Sequence, residues 1–262
     1  MKIGLTLLVL SLVPLSGAAF SQIPIAPGTV LPAQLGSSLD SRKTKSGERV
    51  RARIMQDVPL SSGGKIRAGA KVIGHVVSVK EGRAGQRAEL TLRFDRLEFR
   101  HQTVHVSTNL RALAAMMEVE DAQVPSTGPD RGTPWAWRTR NLIGGEVAYG
   151  EGGPVAHGTD IVGEALADEV LVRVKPNPSA GCRGEIAGNI EPQALWVFSS
   201  DACGVYGIPG LEITHAGRSA PVGEIVLVSL RGNFNIRSGS GILLRITGVN
   251  SEQGPDSTNS GR

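Results

Sequence analysis

Arg49, Arg51 and Arg53 alternate strictly with Val50, Ala52 and Ile54. An extended backbone sends successive side chains to opposite faces, so this hexamer reads as a strand with one apolar and one guanidinium face. The two-residue period returns at Ala88, Leu90, Leu92 and Phe94, then slips, because Leu97 and Phe99 fall on the other parity. An extra residue near Asp95 and Arg96, a β-bulge, accounts for the slip. Residues 72–79 form a more continuous apolar run, and residues 102–108 are placed to pair back as a hairpin across Arg100 and His101. Gly, Pro, Ser or Asn bounds each segment, and 34 Gly with 15 Pro suit turns better than helices. The expected fold is mainly β: two small β-barrel or sandwich-like units with one short linking helix.

That helix is expected at Leu110, Leu113, Ala114 and Met117, which share the i, i+3, i+4, i+7 spacing of one helical face behind Asn109 as N-cap. Glu118, Glu120 and Asp121 oppose the dipole at its C-terminal end, so it should fray by Val119. Residues 124–134 are too rich in Pro and Gly for a regular element and read as a boundary. The expected division is a β-barrel-like unit over 22–109, the helix and linker over 110–134, a second β unit over 135–249 and a disordered polar tail over 250–262. Strand candidates in the second unit are 142–149, 169–174, 194–198, 211–214, 224–229 and 242–246. Passages 23–35 and 235–246 echo each other, each with a small residue and glycine before a strand.

The chain opens with Lys2, an apolar run over 3–15 and then Ser16, Gly17, Ala18 and Ala19, the order of a secretory signal peptide. The run contains Gly4 and Pro14 and falls short of the roughly 20 apolar residues that span a bilayer core. Cleavage is expected near Ser21/Gln22, giving a bacterial periplasmic or secreted chain with no stable membrane span. Cys182 and Cys203 are the only cysteines, and export places them where disulfides persist, so they are expected to pair. Charge is uneven: 16 Lys and Arg against 7 Asp and Glu over residues 40–111, and 11 against 17 from residue 112 onward. A basic half suits an acidic polymer or anionic head groups, and equally an attraction between the two halves.

Pro27-Gly28-Thr29-Val30-Leu31-Pro32-Ala33-Gln34-Leu35, then Ile66-Arg67-Ala68-Gly69-Ala70-Lys71-Val72-Ile73-Gly74, then Ala88-Glu89-Leu90-Thr91-Leu92-Arg93-Phe94-Asp95-Arg96-Leu97 follow one another along the first unit. This order resembles the periplasmic β-barrel of TrbI-like subunits of type IV secretion and conjugation channels. Arg67 stands where that family usually has proline. The resemblance implies a β-barrel-like envelope module, with an accessory secretion-channel role as one alternative.

A catalytic set does not emerge. His101 and His105 are spaced for a shared metal on a helix, but Thr103, Val104 and Val106 favour a strand, where four residues span about 13 Å. Ser199, Ser200, Asp201 and His215 supply the residue types of a hydrolase triad without the Gly-x-Ser-x-Gly elbow. No phosphate loop, dinucleotide fingerprint or calcium loop is found, so neither metal nor cofactor is implied. Arginine strands without exposed aromatics make a poor nucleic-acid footprint. Trp135, Trp137, Arg138 and Arg140 form one unusual cluster, either a sugar-stacking or protein-binding patch or a linker anchored by buried indoles. The expected function is an exported, non-enzymatic binding or structural module of the bacterial cell envelope, whose partner is an unidentified envelope protein or polymer. The rival is a secreted hydrolase or carbohydrate-active enzyme using the second unit.

Overall fold

The structure, a computed structural model, describes residues 25–61, 63–83, 85–100, 102–124, 140–150, 155–157, 160–166, 169–173, 182 and 195–250. For the strands between 146 and 173 it describes the backbone. The expected signal peptide, Pro/Gly linker, tail, and Trp135, Trp137 and Arg138 lie outside the described residues.

The first half supplies β1 (Val30–Leu35), β2 (Leu39–Asp40), β3 (Arg49–Ile54), β4 (Val58–Pro59), β5 (Lys65–Ile66), β6 (Lys71–Lys80), β7 (Ala88–Phe99), β8 (Gln102–Ala114) and the helix α1 (Met116–Gln123). The second half supplies β9 (Arg140–Asn141), β10 (Glu146–Gly150), β11 (Val155–His157), β12 (Asp160–Leu166), β13 (Glu169–Arg173), β14 (Gly204–Tyr206), β15 (Leu211–His215), β16 (Ile225–Ser229), β17 (Asn235–Ile236) and β18 (Gly241–Asn250). The molecule is mainly β.

Six strands close into an antiparallel barrel in the order β8, β18, β1, β3, β6, β7, with β7 pairing back to β8. Closure leaves these six strands no free edge along their paired lengths. Beyond the ring, the same sheet continues through β16 and β15 on the β7 side and through β14 on the β8 side. A separate five-stranded sheet runs β11, β12, β13, β10, β9. The barrel interior is filled by alternate residues of its strands, among them Leu31, Val50, Ile54, Val72, Leu90, Phe94, Leu97 and Leu244.

The alternation at Arg49–Ile54 is observed as strand β3, with every arginine exposed and every apolar partner buried. The parity slip in β7 is a bulge: Ile73 pairs Arg96 while the next residue, Gly74, pairs Phe94, leaving Asp95 as the extra residue. The bulge brings β7 so close that a Cβ on Gly74 would lie 1.8 Å from the carbonyl oxygen of Arg93, so glycine alone fits. β7 and β8 form the expected hairpin, with Phe99 opposite Gln102.

Three expectations are corrected. Asn109, Leu110, Leu113 and Ala114 do not begin a helix; they finish β8, and α1 starts after them at Met116 with Ala115 as a cap that makes no side-chain hydrogen bond. The reason is a second bulge. Leu243 pairs Ala112 and Leu244 pairs Leu110, so Arg111 is extra, and the residues on either side of it that face the barrel fall three apart, at Leu110 and Leu113. Ala112 and Ala114 meanwhile face a second core with Val119 and Ala122 of α1, Ile143, Val197 and Phe198. Buried on both faces, this strand has the continuous apolar character that mimics a helix. The described part of the expected strand 194–198, residues 195–198, is also not a strand: Leu195 and Phe198 bridge across a tight turn in which Trp196 has φ 61°. Finally, the first unit is not a barrel by itself over 22–109, because β18 pairs on one side with β1 and on the other with β8. The echoing passages 23–35 and 235–246 thus end in neighbouring barrel strands.

Candidate functional site

The outer face of β3, β6 and β7 collects cations by register. Arg49 lies beside His75, Arg51 beside Ile73 and Arg53 beside Lys71. One strand further, these rows continue to Arg93, Arg96 and Glu98. Side chains two residues apart on one face stand roughly 7 Å apart, and neighbouring strands about 4.8 Å, so the guanidinium groups form a dense lattice. Part of it is neutralised locally. Arg93 donates to Glu224 at 2.6 Å, and Asp95, the bulged residue, meets His75 at 2.9 Å and Arg96 at 3.5 Å. Arg49, Arg51, Arg53 and Lys71 have no carboxylate within 4.0 Å among the described residues. Ile73 sits on this outer face, outside the interior core, yet is only 6% exposed. Its neighbours Arg51 and Arg96 are placed to cover it with their aliphatic stems while their charged heads reach water.

At the Lys71 end the surface opens into a cavity of about 530 Å³ whose lining includes Arg67, Lys71, Glu98, Phe99, Arg100 and Thr103. The turn after β5 supplies Arg67, the start of β6 supplies Lys71, and the β7–β8 hairpin supplies Arg100. Arg100 has φ 49°, in the left-handed region that disfavours any residue with a Cβ, and its Nη2 donates to the carbonyl oxygen of Lys65 at 3.3 Å. Lys65 itself is held by Asp57, which also accepts from the Ala68 amide at 2.9 Å. The hydrogen bond from Lys65, then that from Ala68, lowers the Asp57 carboxyl below its ordinary pKa. Neither Arg67 nor Arg100 has a carboxylate within 4.0 Å among the described residues, although the charge of Arg67 also helps to lower the Asp57 carboxyl, and the lining itself holds three cations against the single carboxylate of Glu98.

Ser199 and Asp201 meet, but His215 does not join them. Ser199 Oγ donates to the Ile143 carbonyl at 3.1 Å and lies 3.2 Å from Asp201 Oδ1. The His215 ring instead meets the Glu224 carbonyl through Nδ1 at 2.7 Å, the Gly217 amide at 3.1 Å and Ser219 Oγ through Nε2 at 3.3 Å. His105 lies in strand β8. Among the described residues no group of three or more His, Cys, Asp or Glu is arranged to hold a metal, and no helix is long and apolar enough to cross a membrane. Cys182 and Cys203 pair as a disulfide with Cα atoms 5.0 Å apart. Of the aromatic and arginine cluster only Arg140 is described, half-buried in β9. Reading the sequence alone missed the convergence of Arg67, Lys71 and Arg100, since these come from a turn, a strand start and a hairpin. The one signal was the basic excess of residues 40–111.

No family model matches the chain, and no curated protein matches it. Among solved structures it is similar to ComB10 of the Com type IV secretion system of Helicobacter pylori, at 18% identity over 85% of this chain and 87% of that one, with a TM-score of 0.30. That protein, like the family the first unit resembles, belongs to a type IV secretion system. At this TM-score the two backbones share little common geometry, and the functional reading rests on this chain's own residues.

Proposed function

We propose that this chain is an exported, non-enzymatic β-barrel module of the bacterial cell envelope that works by binding an anionic partner on the outer face of β3 and β6. The observation that carries the reading is the row of exposed cations Arg49, Arg51, Arg53 and Lys71, free of ion pairs among the described residues, on strands that closure of the barrel holds in register. A secretory-type N-terminus and a disulfide support an oxidising compartment outside the cytoplasm. Exposed large apolar side chains such as Met117, Val124, Val222 and Leu230 lie elsewhere, so attraction on this face is electrostatic. The test is retention of the purified chain on washed envelope fractions, compared with an Arg49→Glu, Arg51→Glu variant of equal thermal stability. Retention of the wild type and its loss in the variant is the expected result; equal retention of both overturns the reading.

A further inference from the structure

The cavity beside Lys71 differs from the open face in being concave, and its volume of about 530 Å³ exceeds what a bare oxyanion fills and lies in the range of small-molecule sites. Three cations converge on it from three separate chain segments, and one carboxylate, Glu98, shares the lining. The resulting excess of two positive charges matches a phosphate monoester, which carries about −1.5 to −2 near neutrality, better than a single carboxylate. Arg67 supplies a planar donor fork suited to phosphate oxygens, Arg100 the guanidinium donors that its bond to the Lys65 carbonyl leaves over, and Lys71 a point charge. Thr103 and Gln102 offer hydroxyl and amide groups at the rim, Glu98 accepts from hydroxyls while repelling further anions, and Phe99 gives a largely buried apolar wall. Arg100 also holds a left-handed backbone conformation that glycine would adopt without strain. A costly backbone at a residue whose side chain lines a cavity is the pattern of a position kept for its side chain.

We infer that this cavity binds a phosphate monoester carried on a sugar-sized group, with Arg67, Lys71 and Arg100 as its anion ligands. The inference rests on the reading of the barrel as a binding module and adds the chemistry of one ligand.

Calorimetric titration of the exported, disulfide-bonded chain at 0.15 M salt tests it, with glucose 6-phosphate, sodium sulfate and glucose as probes. Glucose 6-phosphate binds saturably at one site, at least about tenfold tighter than sulfate, and glucose does not bind, since each charge-assisted hydrogen bond to the ester contributes on that order. Arg67→Ala and Lys71→Ala each weaken the ester about tenfold or more. Arg100→Gly weakens it similarly while melting at or above the wild-type temperature, which separates lost binding from lost folding. Vesicles of phosphatidylcholine with phosphatidic acid distinguish the source. Capture of the wild type and not of the variants assigns the phosphate to a lipid head group, and ester binding without vesicle capture assigns it to a soluble or glycan-borne sugar. The Arg49→Glu, Arg51→Glu pair lies outside the lining, so ester binding that survives there while envelope retention is lost supports two sites that share only Lys71. Absence of saturable ester binding in the wild type, or an affinity unchanged in Arg67→Ala, Lys71→Ala and Arg100→Gly, overturns the inference, whatever the envelope assay shows.

Discussion

Gly74 shows how much of this barrel is decided by a single missing atom. Its absent Cβ would lie 1.8 Å from the Arg93 oxygen and 2.9 Å from the Phe94 Cα, both backbone, so no rotamer change relieves the overlap. Gly74→Ala is expected to destabilise the fold by about 3 kcal/mol or more, read as a drop in the denaturant midpoint, because the strands must separate at the bulge. Gly248→Ala is the control: nothing lies within 4 Å of the position its added methyl would take, and its stability should stay within about 0.5 kcal/mol of the wild type. Arg100 is the opposite case, a residue whose side chain is kept at a backbone cost. Replacing it by glycine should raise stability by roughly 1 kcal/mol, measured by the same denaturant titration. A fall in stability would show that its hydrogen bond to the Lys65 carbonyl outweighs the strain at φ 49°.

Elements were legible where burial is one-sided. β3 alternates because one face meets the core and the other meets water, and the parity change in β7 reveals the Asp95 bulge for the same reason. The signal failed in β8. There a bulge at Arg111 turned a two-residue period into a three-residue one just where both faces become buried, and Leu110, Leu113 and Ala114 took on the spacing of a helix. The candidate site was half legible. Arg49, Arg51 and Arg53 stand out along the sequence, whereas the cavity exists only because the β5 turn and the β7–β8 hairpin meet, a long-range fact that local pattern does not carry. The Cys182–Cys203 bridge is what a secretory-type N-terminus and a count of two cysteines lead one to expect, and it ties Cys182 to a residue directly before β14. With its two cysteines at a sequence separation of 21, its reduction should lower stability by about 3 kcal/mol on the chain-entropy account. Denaturant titration with and without reductant checks this, and coincident curves would mean that the bridge constrains nothing the sheet does not already hold.

At the scale of the whole molecule, the first and last described strands, β1 and β18, are neighbours in one barrel. β18 contributes five register pairs to β1 and nine to β8, so residues 22–109 alone lack both the last strand and the end of β8. A protease site introduced between Pro125 and Pro134 should therefore yield two fragments that stay associated through gel filtration under native conditions, as strand pairing and core packing across the barrel outlast the cut. Separation into two independently folded pieces would contradict the shared barrel. The same closure fixes the positions of Arg49, Arg51, Arg53 and Lys71, and these cations give the outer side of β3 and β6 a face without ion pairs among the described residues. Attraction through exposed charges is screened over about 10 Å at 0.1 M salt, so it weakens steeply as salt rises, while apolar docking does not. Binding of the purified, disulfide-bonded chain to envelope fractions across a salt series is thus the decisive measurement. Retention that is strong at low salt, falls away through the physiological range and is abolished at every salt by Arg49→Glu with Arg51→Glu is the predicted result. Retention that is indifferent to salt and to those two substitutions would contradict it.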